Sequence, residues 1–160
     1  MRRVVIIGSG RTGRGMFGEM FYLEGGFDLV FADIDSELIG ALREQGYYTV
    51  EKKNLLTGKV AKTRVDKFHA IDVKRDHEEY IDFLLKSELV ATAVFPESFD
   101  VVASDLAGMV SLRTSRNVVE PVAVLLGGNY VGLKARFDMA ITTRLAGSER
   151  DYYDKYVTLI

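Results

Sequence analysis

One short stretch constrains the fold of this chain more than any other. An almost wholly apolar, β-branched run from Arg3 to Ile7 stops at Gly8-Ser9-Gly10-Arg11-Thr12-Gly13. A run without polar alternation is what a parallel strand buried on both faces requires. From Thr12 to Glu24, residues Met16, Phe17, Met20, Phe21 and Leu23 recur at spacings of three and four. That spacing predicts a helix with one apolar stripe, ended by Gly25-Gly26. A second strand follows at Asp28 to Ala32, and the polar Asp33-Ile34-Asp35-Ser36 behind it supplies a helix N-cap. The next helix runs from Ser36 to Gln45 and stops at Gly46.

Three glycines at Gly8-x-Gly10-x-x-Gly13 are a weak signal alone, because glycine is common in loops. Here they follow a strand, open a helix and stand 20 residues before Asp33 at the end of the next strand. Together these make the dinucleotide-binding fingerprint of a βαβ unit. Gly8 permits the tight turn, Gly10 lets backbone approach a pyrophosphate, and Gly13 lets the helix lie close to the sheet. Free N–H groups of Gly8 to Gly13, including Ser9, Arg11 and Thr12, then face the phosphate charge at the helix start. Asp33, with Ile34 beside it, is placed to accept the adenosine ribose hydroxyls, and its charge repels a 2′-phosphate. That favours NAD over NADP. Asp33 is alternatively a helix cap, although Asp35 or Ser36 fills that role as well. Arg11 and Arg14 flank the loop, either on phosphate or in solvent.

The stretch from Tyr47 to Asp72 alternates around Asn54-Leu55-Leu56-Thr57-Gly58, which predicts an inserted antiparallel hairpin. A helix over Asp76 to Lys86, a strand over Leu89 to Val94 broken by Phe95-Pro96, a helix over Phe99 to Val110 and a strand over Val122 to Leu126 continue the alternation. Gly127-Gly128-Asn129 is read as the opening of another helix. The last residues, Tyr156 to Ile160, suit a strand inside a sheet, and such an end implies a longer natural polypeptide. The fold class is therefore α/β, a doubly wound parallel sheet (Rossmann fold) with an inserted hairpin around residues 47–72, in a single dinucleotide-binding domain. Ligands of such sheets lie at the carboxyl ends of the strands where strand order reverses. Ala93, Val94 and Phe95 should line the adenosine-to-nicotinamide path. Asn129 is either a contact to the nicotinamide half or a helix cap.

The formal charge is 21 basic against 23 acidic residues, or −2, so no field exists to hold nucleic acid or an anionic membrane. No cysteine is present, and no apolar run approaches the roughly 18 residues of a membrane span. The chain is assigned to the cytoplasm by default. The two histidines, His69 and His77, have no carboxylate or hydroxyl partner at a catalytic spacing and read as surface residues. No metal site is expected, and no catalytic residue is assigned.

Gly8 to Gly18 (Gly-Ser-Gly-Arg-Thr-Gly-Arg-Gly-Met-Phe-Gly), Phe31-Ala32-Asp33-Ile34-Asp35 and Thr92-Ala93-Val94-Phe95-Pro96 resemble the amino-terminal NAD-binding domain of the mannitol-1-phosphate 5-dehydrogenase and mannitol dehydrogenase family. Tyr47-Tyr48-Thr49-Val50 stands where that family carries its hairpin. The resemblance implies NAD as cofactor and a polyol phosphate as substrate. Where the family has Cys-Glu-Asn after the fifth strand, this chain has Gly127-Gly128-Asn129. The resemblance also implies that the catalytic lysine, asparagine and histidine belong to a helical second domain not found within these residues. Without it, the apolar surface that would face that domain points to self-association as a homodimer. The alternative is a non-catalytic nucleotide-sensing domain of the potassium-transport type, which shares Gly-x-Gly-Arg-x-Gly but lacks the hairpin.

Overall fold

The computed structural model describes residues 1–160. Its centre is β1 (Arg2–Ile7), whose Val4, Val5 and Ile6 are wholly excluded from solvent. The side chains of β1 alternate, so Val4 and Ile6 enter one core and Val5 and Ile7 the other. Two apolar faces on one strand explain why its sequence shows no polar alternation. β2 (Phe27–Asp33) repeats the pattern, with Leu29 and Phe31 on one face and Val30 and Ala32 on the other.

Six strands form one parallel sheet. Beside β1 lie β2 and β6 (Leu89–Thr92); beyond β2 lies β5 (Phe68–Asp72), and beyond β6 lie β7 (Val122–Leu126) and β8 (Val157–Leu159). The order β5-β2-β1-β6-β7-β8 is the 3-2-1-4-5-6 order of a dinucleotide-binding sheet. One core packs Phe17 and Phe21 with Phe31, Ile39 and Leu42, under a π-helical turn (Gly13–Gly18), α1 (Glu19–Glu24) and α2 (Ser36–Gln45). The other core is larger and lies under α3 (His77–Leu85), α4 (Phe99–Ser115), α5 (Leu133–Thr142) and α6 (Ser148–Tyr156). α2 starts as its sequence predicts, with the Asp35 carboxylate accepting from the N–H groups of Glu37 and Leu38, and it ends on Gly46 in the left-handed region.

The antiparallel hairpin is present as β3 (Tyr47–Lys53) and β4 (Val60–Asp66), paired from Tyr47 with Asp66 to Lys53 with Val60. The last five residues of the predicted stretch differ, since Phe68–Asp72 turn away to become the edge strand β5, parallel to β2. Ala70, Ile71 and Asp72 are buried there, which accounts for the change of partner. The expected helix after Gly127-Gly128-Asn129 starts later, at Leu133, behind the left-handed Gly132. No helix is long and apolar enough to cross a membrane.

The hairpin is tied to α1. The phenol of Tyr22 donates to Asp66 at 3.1 Å, and buried Glu19 pairs with the Lys52 ammonium of β3. That ammonium, then the Thr63 hydroxyl, hold the Glu19 carboxyl below its ordinary value although burial opposes them. A carboxyl depressed in the folded state stabilises above its unfolded pKa and loses that contribution as pH falls through its folded one. Melts of the chain and of Glu19→Gln between neutral pH and pH about 3 should therefore differ most at neutral pH and converge on acidification. A stability gap that stays constant with pH would mean that the ion pair contributes nothing.

Candidate functional site

The carboxyl ends of β1 and β6 are neighbours, yet the sheet grows away from them in opposite directions, to β2 on one side and β7 on the other. Loops leaving these ends diverge and open a crevice, which is where open α/β sheets take their ligands. The loop after β1 forms its floor. Gly8 has a φ of +91°, its N–H donates to the Ala32 carbonyl at 2.9 Å, and a Cβ on it would strike the Ala93 carbonyl of the neighbouring loop. A Cβ on Gly13 would strike the Gly8 carbonyl. Gly10 is different, with nothing within 4 Å of where its Cβ would stand. The N–H groups of Gly10, Arg11 and Thr12 find no acceptor within the protein, so three donors face open crevice at a helix start.

Asp33 ends β2 beside this loop. Its Oδ2 accepts from the Ser9 N–H at 2.6 Å and its Oδ1 from the Asp35 N–H at 3.0 Å. Two backbone donors fix the carboxylate and leave further lone pairs on both oxygens. Ser9 is fully buried, so it contributes that N–H and no side-chain surface. Arg14 is turned under the loop, where its guanidinium donates to the Ser9 carbonyl at 2.5 Å while its own carbonyl accepts from the Tyr48 hydroxyl at 3.0 Å. The hairpin thus braces the glycine loop through Tyr48 and Arg14. Arg11 stays exposed at the crevice edge.

Two hollows flank the loop. One, of about 280 Å³, lies between Gly10, Arg11, Thr12, the Ala93-Val94-Phe95 segment, Gly127-Gly128 and Tyr130. The second, of about 130 Å³, adjoins Asp33 and Ile34 and runs between Val73, Val94, Val101 and Val102 to Tyr80 and Asp105. A larger hollow of about 540 Å³ lies between Met16, Met20, Leu23 and Lys52 and gathers none of these donors.

Eleven of the twelve residues singled out from sequence meet at the crevice: Gly8, Ser9, Gly10, Arg11, Thr12, Gly13, Asp33, Ile34, Ala93, Val94 and Phe95. Asn129 is exposed and lines neither hollow, and Tyr130 stands in the wall instead. Sequence reasoning passed over Tyr80 and Asp105. The signal for Asp105 was one acidic residue inside the apolar stretch Val101 to Val110. His69 is half exposed with Nε2 3.1 Å from Asp28, and both stand away from the crevice. No three His, Cys, Asp or Glu side chains are grouped to hold a metal ion.

Residues 2–160 match the mannitol dehydrogenase Rossmann domain. Mannitol-1-phosphate 5-dehydrogenase of Bacillus licheniformis is 32% identical over 143 residues, covering 89% of this chain and 36% of the relative. The enzyme of the same name from Lacticaseibacillus paracasei is 26% identical over 157 residues, covering 98% of this chain and 40% of the relative. The chain thus spans well under half the length of these curated relatives. Octopine dehydrogenase, solved with NADH and L-arginine, superposes with a TM-score of 0.70 at 10% identity, over 99% of this chain and 34% of that one. At that identity the likeness speaks for the fold. The chain belongs to the mannitol dehydrogenase family, within its Rossmann domain.

Proposed function

We propose that this chain is the NAD-binding part of a polyol-phosphate dehydrogenase of the mannitol-1-phosphate type. The observation that carries the reading is the Asp33 carboxylate, fixed by the Ser9 and Asp35 N–H groups next to three unpaired loop donors. A dinucleotide needs both: donors for its pyrophosphate and an acceptor pair for its adenosine ribose. The space reserved above Gly10 fits the first, and the free lone pairs of Asp33 fit the second.

When bound, the nicotinamide accepts or donates hydride. The chain's own residues bind and orient. Gly10, Arg11 and Thr12 present N–H groups to the pyrophosphate, Asp33 holds the ribose, and Ala93, Val94 and Phe95 exclude water along the path toward Gly127 and Tyr130. None of the crevice side chains is a histidine or lysine placed to move a substrate proton. The names of the relatives support the substrate class.

Calorimetric titration with NAD and with NADP, repeated on Asp33→Ala, tests the reading. NAD should bind, NADP should bind far more weakly because its 2′-phosphate meets the carboxylate, and Asp33→Ala should weaken NAD by about tenfold to a hundredfold while narrowing the gap to NADP. Absence of binding by either dinucleotide would make the glycines purely structural. A non-catalytic nucleotide sensor would instead bind dinucleotide yet give no turnover when the chain stands in its complete protein.

A further inference from the structure

The hollow next to Asp33 has apolar sides and a polar end. If Asp33 holds the ribose, the attached base has this hollow beside it, because Asp33 and Ile34 line it. Val73, Val94, Val101 and Val102 supply branched side walls suited to the two faces of a flat ring. The same hollow is lined by Tyr80, fully buried on α3, by Asp105 on α4, and by Glu97 and Ser98. The Tyr80 hydroxyl donates its only proton to Asp105 Oδ2 at 3.1 Å. Asp105 Oδ1 has no partner in the protein. Among the polar side chains that line the hollow, Asp33, Glu97 and Asp105 offer acceptors, and the Ser98 hydroxyl keeps a proton to donate.

We propose that Asp105 selects the amino group of adenine at the end of this hollow. The inference rests on the dinucleotide reading above and adds a base-specific contact to it. Adenine carries an exocyclic amino group, a donor, and hypoxanthine carries a carbonyl oxygen at the same place. An amino group would satisfy Asp105 Oδ1, whereas a carbonyl oxygen would set lone pairs against a carboxylate. Burial pushes the Asp105 carboxyl above its ordinary value, opposed by the Tyr80 hydrogen bond and the nearby His77, as fits a carboxylate short of donors. Anchoring Tyr80 occupies only one of the two oxygens and leaves the other without a partner on a residue that lines the hollow.

The probe is nicotinamide hypoxanthine dinucleotide, compared with NAD by calorimetric titration of the chain. The chain should prefer NAD by about tenfold or more, the loss expected when one hydrogen bond to a charged acceptor turns repulsive. Asp105→Asn keeps an acceptor for Tyr80 but can turn an N–H toward the base, so the preference should fall to parity or reverse. General damage to the hollow lowers both affinities together and cannot produce that exchange. Equal binding of the two dinucleotides by the unaltered chain, or an undiminished preference in Asp105→Asn, would overturn the assignment while leaving NAD binding intact. Failure of both dinucleotides to bind would remove the dinucleotide reading and this inference with it.

Discussion

Gly8→Ala and Gly10→Ala are expected to fail in opposite ways, although both glycines belong to one six-residue loop. Gly8 sits at φ +91°, held on one side by its hydrogen bond to Ala32 and on the other by the Ala93 backbone. Alanine there meets both an unfavourable backbone conformation and a backbone collision between adjacent strand ends. Each costs on the order of 1–3 kcal/mol, and neither can relax without shifting β2 or β6. A loss of about 3 kcal/mol is a large share of the roughly 5–15 kcal/mol that holds a domain together, and lowers the melting temperature by about 10 °C. Gly10 has open space where its Cβ would stand and a φ outside the left-handed region. Its replacement should leave the melt almost unchanged and reduce NAD affinity by about tenfold or more, because the methyl occupies the approach of the pyrophosphate. Thermal denaturation and NAD titration of both variants separate the two effects. Full NAD affinity in Gly10→Ala would show that the space is not used by the cofactor.

The parts of the fold that could be read in advance are those fixed by near neighbours in sequence. Arg3 to Asp33 contains its strand, its turn, its helix and its acid within one βαβ unit, and each announces itself by a local period or a local break. β5 could not be read so surely. Phe68-His69-Ala70-Ile71-Asp72 is a short β-forming run, and its composition says nothing about whether the partner is the preceding hairpin strand or β2 across the domain. α6 escaped notice because Ser148 to Tyr156 is mostly polar, and its anchor to the core is two buried tyrosines rather than an aliphatic stripe. The site divides in the same way. Gly8 to Gly13 and Asp33 gather at one crevice as their spacing suggests, whereas Asn129 lines neither hollow and its neighbour Tyr130 lines one, in the turn that runs to Gly132 before α5 begins. Asp105 comes to the crevice only through the packing of α4 across the sheet.

Arg113 makes the second large prediction, far from the crevice. It is 2% exposed on α4 and has no carboxylate partner. Its guanidinium instead donates to the Glu120 carbonyl at 2.9 Å and to the Ser87 carbonyl, while its Nε finds no acceptor. Those carbonyls stand just before β7 and β6, so one side chain ties the entrances of two adjacent strands to the helix that covers them. A buried cation without a counter-ion is costly, and the bonds it makes to carbonyls return on the order of 1.5–3 kcal/mol each. Truncation removes the bonds, orphans the Ser87 carbonyl and leaves a cavity at once, so Arg113→Ala should lose about 3 kcal/mol or more in urea denaturation. Arg113→Met fills most of the volume and removes the unpaired charge, which offsets part of the loss, and about half the alanine effect is expected. If methionine proves neutral or stabilising, desolvating the guanidinium costs as much as its carbonyl bonds return, and the junction is held by packing alone. If methionine is as damaging as alanine, the bonds dominate, and Arg113 is the clamp that holds the entrances of β6 and β7 against α4.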